Sequence, residues 1–333
     1  MTQEEILLRR LRGQHLLSPS DTQTVVNDRC GVQAQFLSHA LHGLSIRCHS
    51  ISTEGLIKSW TNRGTMHLFS ADDLPLFLHQ GRSHFLRPVD TLEGDAFITA
   101  SRKRYFADLI VENVAGGIDQ RDDLKEACRQ AGMTEKESKS LFDPWGGAIR
   151  ALCETGRICH KVQQTKAYQL CPPFQPMVKE AAQLEMARRY FAHFGPATIK
   201  DAAYFFAATQ AQVKQWLSQL SVAETILDGK AYFYVDEGLP AGHPPEVLFL
   251  SGFDQLLLGY DKMESLILPR EHLRDIFTLS GIVRPAILKD GRIVGWWNLK
   301  GRKLSIHLFD GENKAIIEVA HQQWPGLKSI SLV

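Results

Sequence analysis

The sequence lacks any long apolar run. Of its 333 residues, 44% are hydrophobic and 23% are charged, which is an ordinary balance for a globular protein. No stretch approaches the roughly 18 consecutive apolar residues needed to span a bilayer. The chain begins Met-Thr-Gln-Glu-Glu, which is acidic where an export signal is basic and then apolar. These absences predict a cytoplasmic protein with no membrane partner.

Paired cysteine motifs are also absent. The six cysteines lie apart, without a Cys-x-x-Cys pair. In a chain this long and without an export signal, they are expected to be reduced thiols, most of them small core residues. The nearest approach to a metal site is the cluster of Cys153, Cys159, His160 and Cys171. Its spacing matches no structural zinc pattern, so we predict neither a metal nor a cofactor.

A large excess of charge of one sign is missing as well. The chain has 38 Lys and Arg against 37 Asp and Glu, a net charge of +1, which does not by itself indicate a nucleic-acid-binding protein. A local basic stripe, however, can contact phosphates as well as a basic total can. For any one cluster, a solvated charged face is the alternative interpretation. The basic residues form three clusters: Arg9, Arg10 and Arg12; Arg102, Lys103 and Arg104; and Lys300, Arg302 and Lys303.

The first 100 residues are predicted to be mostly helical with one strand. Ser, Asp and Thr residues at candidate N-cap positions, followed by apolar periodicity, predict helices over about 21–28, 36–44 and 53–60. The sequence of residues 65–69 predicts a strand. This order predicts a loosely defined helical module at the front of the chain.

Two later segments share one order of elements, in which three helices are followed by a two-stranded ribbon. That order is typical of a winged helix. The second segment contains Asp228-Gly229 between two strand-like runs, which is a strong hairpin signal. Beyond residue 243, short strands separated by Asp-Gly turns predict a barrel-like domain or a strongly curled antiparallel sheet. The predicted fold class is therefore α+β, with winged-helix domains over 1–104, 105–175 and 176–242 and a β-barrel-like domain over 243–333.

The segment Gly31-Val-Gln-Ala-Gln35 is the strongest candidate for chemistry. Two glutamines at positions i and i+2 lie about 200° apart on a regular helix, so there they cannot share a pocket. They can share one if the segment is extended or forms a kinked entry to the following helix, and Gly31 permits a kink. A glutamine amide does not ionise, but its carbonyl can hold a water and its NH₂ can orient another group. The alternative is two surface glutamines that precede a helix.

Five motifs occur in one order along the chain. They are Gln33-Ala-Gln35; Arg63-Gly-Thr-Met-His67-Leu; His193-Phe-Gly-Pro-Ala-Thr-Ile-Lys-Asp201; Phe253-Asp-Gln-Leu-Leu-Leu-Gly-Tyr-Asp261; and Arg284-Pro-Ala-Ile-Leu-Lys-Asp-Gly-Arg-Ile-Val-Gly295. In these motifs the chain resembles the winged-helix family of bacterial DNA glycosylases typified by AlkZ. The Gln-x-Gln form is similar to the AlkZ-like rather than the YcaQ-like members.

This resemblance implies hydrolysis of the N-glycosidic bond of alkylated purines, chiefly N7-alkylguanine, including the unhooking of interstrand crosslinks. It implies double-stranded DNA as the partner, and a monomer suits an enzyme that scans for lesions. An N7-alkylated guanine is cationic and departs without much help from an acid, so what remains is to place a water and support the sugar. Gln33 and Gln35 are the predicted catalytic pair, with no separate roles assigned.

Other residues are predicted around this pair. Thr65 and His67 share one face of the predicted strand and are candidates to line the site, although a buried, satisfied histidine is the alternative for His67. Asp254 is predicted to act as a structural cap or brace. Phosphate or groove contacts are predicted for the basic residues Arg63, Arg102, Lys103, Arg104, Lys300 and Arg302.

Two other functions fit a chain of winged helices. A transcription regulator binds one operator without releasing a base and is usually dimeric, but this sequence has no evident dimerisation helix or ligand-sensing pattern. A protein-interaction scaffold needs neither DNA affinity nor the glutamines. Base release from alkylated DNA therefore discriminates the enzyme from both alternatives.

Overall fold

The computed structural model describes residues 1–61, 64–81, 87–238, 242–310 and 314–333. The chain is a mixed α+β protein that divides into two compact units, one of residues 1–52 and 186–333 and one of residues 53–185. Within the described ranges, no helix combines the length and apolarity required to cross a membrane. The six cysteines form no disulfide, and all but Cys171 are buried, which confirms the prediction that most are small core thiols.

Residues 1–52 form helices α1 (Gln3–Gly13), α2 (Thr22–Asp28) and α3 (Leu37–Ser45), with the short strand β1 (Val32–Gln33) between the last two. The first helix starts at a capping box in which Thr2 and Glu5 satisfy each other's backbone N–H groups. At the second helix, the Asp21 carboxylate accepts the Thr24 N–H at 2.9 Å. The helices predicted over 21–28 and 36–44 are confirmed.

The unit of residues 53–185 contains strands that lie in one sheet in the order β3, β2, β4, β5. Its elements are β2 (Leu56–Trp60), β3 (Met66–Ser70), α4 (Leu74–Phe77), α5 (Ala100–Ala115), α6 (Arg121–Gln130), α7 (Glu135–Leu141), α8 (Gly147–Glu154), β4 (Ile158–His160) and β5 (Tyr168–Leu170). The core under this sheet includes Phe106, Ile110, Leu124 and Leu152. Residues 100–170 hold four helices, α5 to α8, before the two-stranded ribbon, one helix more than the three predicted.

The helix predicted over 53–60 is wrong. Residues 56–60 form the strand β2, which pairs antiparallel with β3 from Leu56 opposite Ser70 to Trp60 opposite Met66. Four of its five residues are buried, because the strand lies inside the sheet and packs on both faces. A helix-like run of apolar residues and a two-sided strand cannot be told apart by periodicity over five positions.

The chain then runs through α9 (Lys179–His193), α10 (Ile199–Phe206), α11 (Gln210–Leu217), β6 (Ala223–Leu227) and β7 (Lys230–Tyr234). The predicted hairpin is confirmed, with Leu227 opposite Lys230 across a two-residue turn. Asp228 has φ 50° and Gly229 has φ 75°. A tight hairpin turn of this kind needs a positive φ at both central residues, which Asp-Gly provides at low cost.

The C-terminal part holds β8 (Val247–Phe249), α12 (Gln255–Leu258), α13 (Leu273–Ile276), β9 (Ala286–Lys289), β10 (Arg292–Lys300), β11 (Lys303–Leu308), α14 (Lys314–Gln323) and β12 (Ser329–Leu332). The strands form one sheet in the order β12, β11, β10, β9, β8. β12 pairs parallel with β11, and the other neighbours pair antiparallel.

This sheet is open, so the prediction of a barrel-like domain is wrong. Closure would need the first and last strands to pair, whereas β8 and β12 lie at opposite edges of the described sheet. After β11 the chain passes through α14 and returns as a parallel strand at the outer edge. Ile316 and Ala320 of α14 pack into the core that the sheet forms with Phe249 and Ile306. A helix therefore covers the apolar face that a barrel would have enclosed.

Candidate active site

Gln33 and Gln35 meet at the end of a short strand. β1 ends at Gln33, and α3 begins at Leu37 after an extended N-cap residue, Phe36. The strand covers Val32 and Gln33, and the chain bends at Gln35 and Phe36 before α3. Ala34 is fully buried, which anchors the segment. The predicted geometry, with residues 33–35 outside a regular helix, is observed.

The two amides are joined by a hydrogen bond in which Gln33 Nε2 donates to Gln35 Oε1 at 2.8 Å. Each amide has two N–H donors and two acceptor lone pairs, so one bond leaves capacity for a water on both side chains. Gln33 is 8% exposed, and Gln35 is exposed. The pair therefore has one buried, fixed member and one member that faces solvent.

The turn before the pair is held in a left-handed conformation. Cys30 and Gly31 have φ values of 52° and 76°, and the Gly31 N–H donates to the Val26 carbonyl at 2.8 Å. Gln255 holds this turn from the side, because its Nε2 donates to the carbonyls of Arg29 at 2.9 Å and Gly31 at 2.7 Å. Gln255 is 2% exposed. It is a positioning residue for the segment that carries the glutamines.

Asp254, next to Gln255, is the centre of a buried ionic network. Its carboxylate accepts hydrogen bonds from Arg47 Nη1 at 3.0 Å and Nη2 at 2.7 Å, and from the Leu256 N–H at 2.9 Å. Arg29 Nη2 lies 3.8 Å from the same carboxylate. The Leu256 contact caps α12, so the prediction of Asp254 as a structural cap is confirmed. The network ties α3 and the end of α2 to the start of α12.

Burial and charge act in opposite directions within this network. Burial raises the pKa of Asp254, but Arg47 and Arg29 lower it by more, so the pKa lies well below its ordinary value. Burial, together with the charge of Arg47, lowers the pKa of Arg29 to about 9. Asp254 and Arg29 are therefore ionised near neutral pH, and the carboxylate lies against the guanidinium groups of both Arg29 and Arg47.

An aromatic surface lies beside Gln35. Phe36 is 47% exposed, and its ring stacks on that of Phe253 with centroids 5.7 Å apart. The ring of His39 contacts Phe36 edge-on at 5.8 Å. Burial lowers the pKa of His39, so this surface is uncharged at neutral pH. It offers an apolar contact next to the exposed glutamine.

Thr65 and His67 belong to the unit of residues 53–185. His67 lies on β3, is 3% exposed, and its Nδ1 lies 3.2 Å from the Thr65 carbonyl. Thr65 is half-buried just before the strand. This is the environment of a satisfied buried histidine, and the site-lining role of both residues stays a prediction.

The structure changes the predicted basic cluster at 102–104. Lys103 is fully buried, and its ammonium donates to Asp95 at 2.7 Å and to the Pro88 carbonyl at 2.9 Å. The prediction that Lys103 contacts DNA is therefore wrong, because the apolar face of α5 carries it into the core. Arg102 is bound by Glu137, and Arg104 pairs with Glu93 at 2.9 Å. Both guanidinium groups remain at the surface and stay predicted phosphate contacts.

The C-terminal cluster is more accessible. Lys300 ends β10 and is exposed, and Lys303 lies opposite it across the turn. Arg302 is exposed and donates to the Gly326 carbonyl. Lys300 and Arg302 thus stay candidates for phosphate contact. The predicted contact Arg63 lies outside the described residues.

The sequence did not predict a role at this site for three buried residues: Arg29, Arg47 and Gln255. Each acts through partners that are distant in the chain, with Arg47 and Asp254 separated by 207 positions. Gln255 stands within one of the quoted motifs, beside Asp254, and that adjacency was the available signal.

The comparisons with known proteins agree with each other. A profile of the family described as DNA glycosylase AlkZ-like matches residues 26–312. The interstrand DNA cross-link repair glycosylase of Streptomyces sahachiroi is 25% identical over 332 residues, covering 90% of this chain and 88% of that protein. The solved structure of the Streptomyces sahachiroi DNA glycosylase AlkZ aligns with 100% of this chain and 99% of its own, with a TM-score of 0.75 and 21% identity. That structure shares the fold of this chain over its whole length.

Proposed function

Because the chain belongs to the AlkZ-like DNA glycosylase family, we propose that it hydrolyses the N-glycosidic bond of N7-alkylguanine in double-stranded DNA, including guanines held in interstrand crosslinks. The observation that supports this assignment is the convergence of Gln33 and Gln35, whose amides are joined at 2.8 Å between the end of β1 and the start of α3. A pair of neutral amides can hold a water but cannot remove a proton by ionising. Such a site suits a substrate whose base is already a good leaving group.

In the proposed reaction, the bond between C1′ and N9 breaks and its electron pair neutralises the cationic purine. The water held by Gln33 and Gln35 adds to C1′ of the oxocarbenium-like sugar, and its proton passes to solvent. The amides contribute position and fixed dipoles, which are already in place before the reaction begins. The buried bonds from Gln255 and the Asp254 network hold the backbone on which this position depends.

The surface location of Gln35 supports a site that remains open to a bulky lesion. Ordinary glycosylases turn the target base out of the duplex into a closed pocket. A base that is bonded to the opposite strand cannot enter such a pocket without strain. Gln35 and the neighbouring Phe36 are both exposed, so they can approach the lesion from the groove.

We propose the domain organisation predicted from the sequence, with tandem winged helices over 1–104, 105–175 and 176–242 and a C-terminal domain over 243–333. The order of three helices and a ribbon in α9–α11 and β6–β7 supports the third of these modules. The first boundary falls inside α5, which runs from Ala100 to Ala115. We propose that the protein acts as a monomer on nucleoid DNA in the bacterial cytoplasm.

The proposed activity is tested with duplexes that carry one N7-methylguanine or one N7-linked interstrand crosslink. We expect the native chain to leave abasic sites, scored as strand breaks after mild alkali, and to leave undamaged duplex intact. Tight binding to one operator sequence without base release would contradict the proposal and favour a regulator. Absence of both release and DNA affinity would favour a scaffold.

A second expected result concerns DNA contact. Changing Lys300→Ala together with Arg302→Ala should weaken binding to all duplexes alike, because phosphate contacts carry no sequence information. The slope of log K against log salt concentration should fall by about 1.8, at roughly 0.9 per lost phosphate contact. Fluorescence anisotropy across a salt series measures this slope. The paired change Lys136→Ala with Lys139→Ala, at two exposed lysines of α7, is the control, and an equal loss there would contradict the assignment.

A further inference from the structure

The C-terminal ends of three helices meet around one small cluster of side chains. His15 follows the end of α1, Asp28 is the last residue of α2, and His193 is the last residue of α9. The ligand atoms of the three lie within 4.8 Å of one another. Their side chains are 15%, 23% and 21% exposed, so the cluster is shielded but reachable. None of these residues belongs to the glutamine site.

The local electrostatics favour a cation. The dipole of each helix places a partial negative charge at its C-terminal end, where cations are favoured. Asp28 adds a full negative charge to the end of α2, where a carboxylate is ordinarily unfavourable. The imidazoles of His15 and His193 both lie against this carboxylate. A divalent cation bound between the three side chains would offset the charge of Asp28 and the partial charges of the helix ends.

The distances fit one metal ion. Around zinc, ligand atoms at about 2.0–2.2 Å in tetrahedral directions lie roughly 3.3 Å apart. His193 Nε2 and Asp28 Oδ1 are 3.3 Å apart, and His15 Nε2 and Asp28 Oδ2 are 2.8 Å apart, a hydrogen-bond length. All three ligand atoms lie within 4.8 Å of one another, so small side-chain shifts could bring them to one ion. A water would complete the coordination.

The backbone is also built to bring these residues together. His15 has φ 58°, an uncommon conformation for a residue with a side chain. A Cβ at Gly13 would lie 2.5 Å from the His193 carbonyl oxygen, so the ends of α1 and α9 approach as closely as only glycine allows. His193 also donates a ring N–H to the Gly13 backbone. A backbone carbonyl that orients the ring in this way is the usual partner of a metal-binding histidine.

We propose that His15, Asp28 and His193 form a binding site for one divalent transition-metal cation of the zinc class. Two imidazoles and one carboxylate, with a fourth position for water, are a common donor set for such ions. The bound cation would fix the end of α2, from which the chain turns through Cys30 and Gly31 into the glutamine segment. Its role is to brace that segment, and it takes no part in bond cleavage.

The test uses the full chain after treatment with chelator, in the absence of DNA, and Zn²⁺ as the probe. Isothermal titration should show one Zn²⁺ per chain in the native protein. The Tm should rise by roughly 4 °C when free Zn²⁺ is at 100 times Kd. Co²⁺ should give the visible bands of a four-coordinate site without a thiolate charge-transfer band, because no cysteine is among the three ligands.

Two variants keep the proposal falsifiable. Asp28→Asn preserves the size of the side chain but should abolish the one-to-one binding and the rise in Tm, with an unchanged circular dichroism spectrum. His272→Gln is the matched control, because His272 Nδ1 lies 3.0 Å from the Asp275 carboxylate, a histidine–carboxylate pair with no third ligand among the residues that the structure describes. That variant should bind Zn²⁺ as the native chain does. Absence of saturable binding to the native chain, binding that survives Asp28→Asn, or equal loss in His272→Gln would each overturn the proposal.

Discussion

Replacing Gln35 by alanine is expected to lower the single-turnover rate of base release about 100-fold, the size of effect that one positioned polar group has in other enzymes. The change removes the acceptor of the 2.8 Å bond from Gln33 and one of the groups proposed to hold the water. Because Gln35 is exposed, the free energy of unfolding should change by less than about 0.5 kcal/mol. Rapid-quench assays on an N7-methylguanine duplex and urea unfolding measure the two quantities.

The control for this variant is Gln130→Ala. Gln130 is also exposed, and its Nε2 donates to Glu126 Oε1 at 3.4 Å on α6. Its replacement should change neither the rate of base release nor the stability. A native rate for Gln35→Ala would remove Gln35 from the proposed site, and an equal loss in the control would show that the assay reports something other than that site.

The second large effect is expected on stability. Changing Asp254→Asn keeps the shape of the side chain but leaves two buried guanidinium groups without a counter-charge. Removal of one partner from a buried ionic network typically costs about 3–5 kcal/mol. Urea unfolding at pH 7 should show a loss in this range, because Arg47 and Asp254 are fully buried and bonded at 2.7 Å.

This effect should depend on pH in a defined direction. The pKa of Asp254 is lowered in the folded protein, so its contribution to stability is fully present above the ordinary carboxyl pKa of about 3.9 and declines as pH falls below it. The difference between native and Asp254→Asn proteins should therefore be constant from pH 7 to about pH 5 and narrow at lower pH. A difference that grew on acidification would contradict this account of the network.

Asp236→Asn provides the matched control in the same unit. Asp236 pairs with Arg9 at 2.9 Å, but its side chain is 53% exposed, and exposed pairs contribute little. Its replacement should leave the urea midpoint nearly unchanged. If Asp254→Asn shifted the midpoint no further than Asp236→Asn, the network would not be the element that secures α12 and the glutamine turn.

The local features of the glutamine site could be predicted from the sequence. A pocket shared by Gln33 and Gln35 required residues 33–35 to lie outside a regular helix, and in the structure they lie between the end of β1 and the start of α3. The hairpin at Asp228-Gly229 could also be predicted from local sequence. Its two-residue turn requires positive φ angles at both central residues, which Asp-Gly adopts readily. Such features depend on neighbours within a few positions.

Features set by distant contacts could not be predicted in this way. Lys103 belongs by sequence to a basic cluster, yet the packing of α5 places it beside Asp95 in the core. Strand β2 resembles a helix until its partner β3 is known. His15 and His193, 178 positions apart (193 − 15), carry no common signal in the sequence. In each case, the deciding interaction is formed only by the folded chain.

The most direct test of the central claim, that Gln33 and Gln35 hold one water together, is a double-mutant cycle on base release. Single-turnover rates are measured for the native chain, Gln33→Ala, Gln35→Ala and the double variant on one N7-methylguanine duplex. Residues that act as one unit lose most of their effect with the first substitution. We therefore expect the double variant to be no more than about threefold slower than the slower single variant. Losses that multiply independently, or activity that survives both substitutions, would contradict a shared water site.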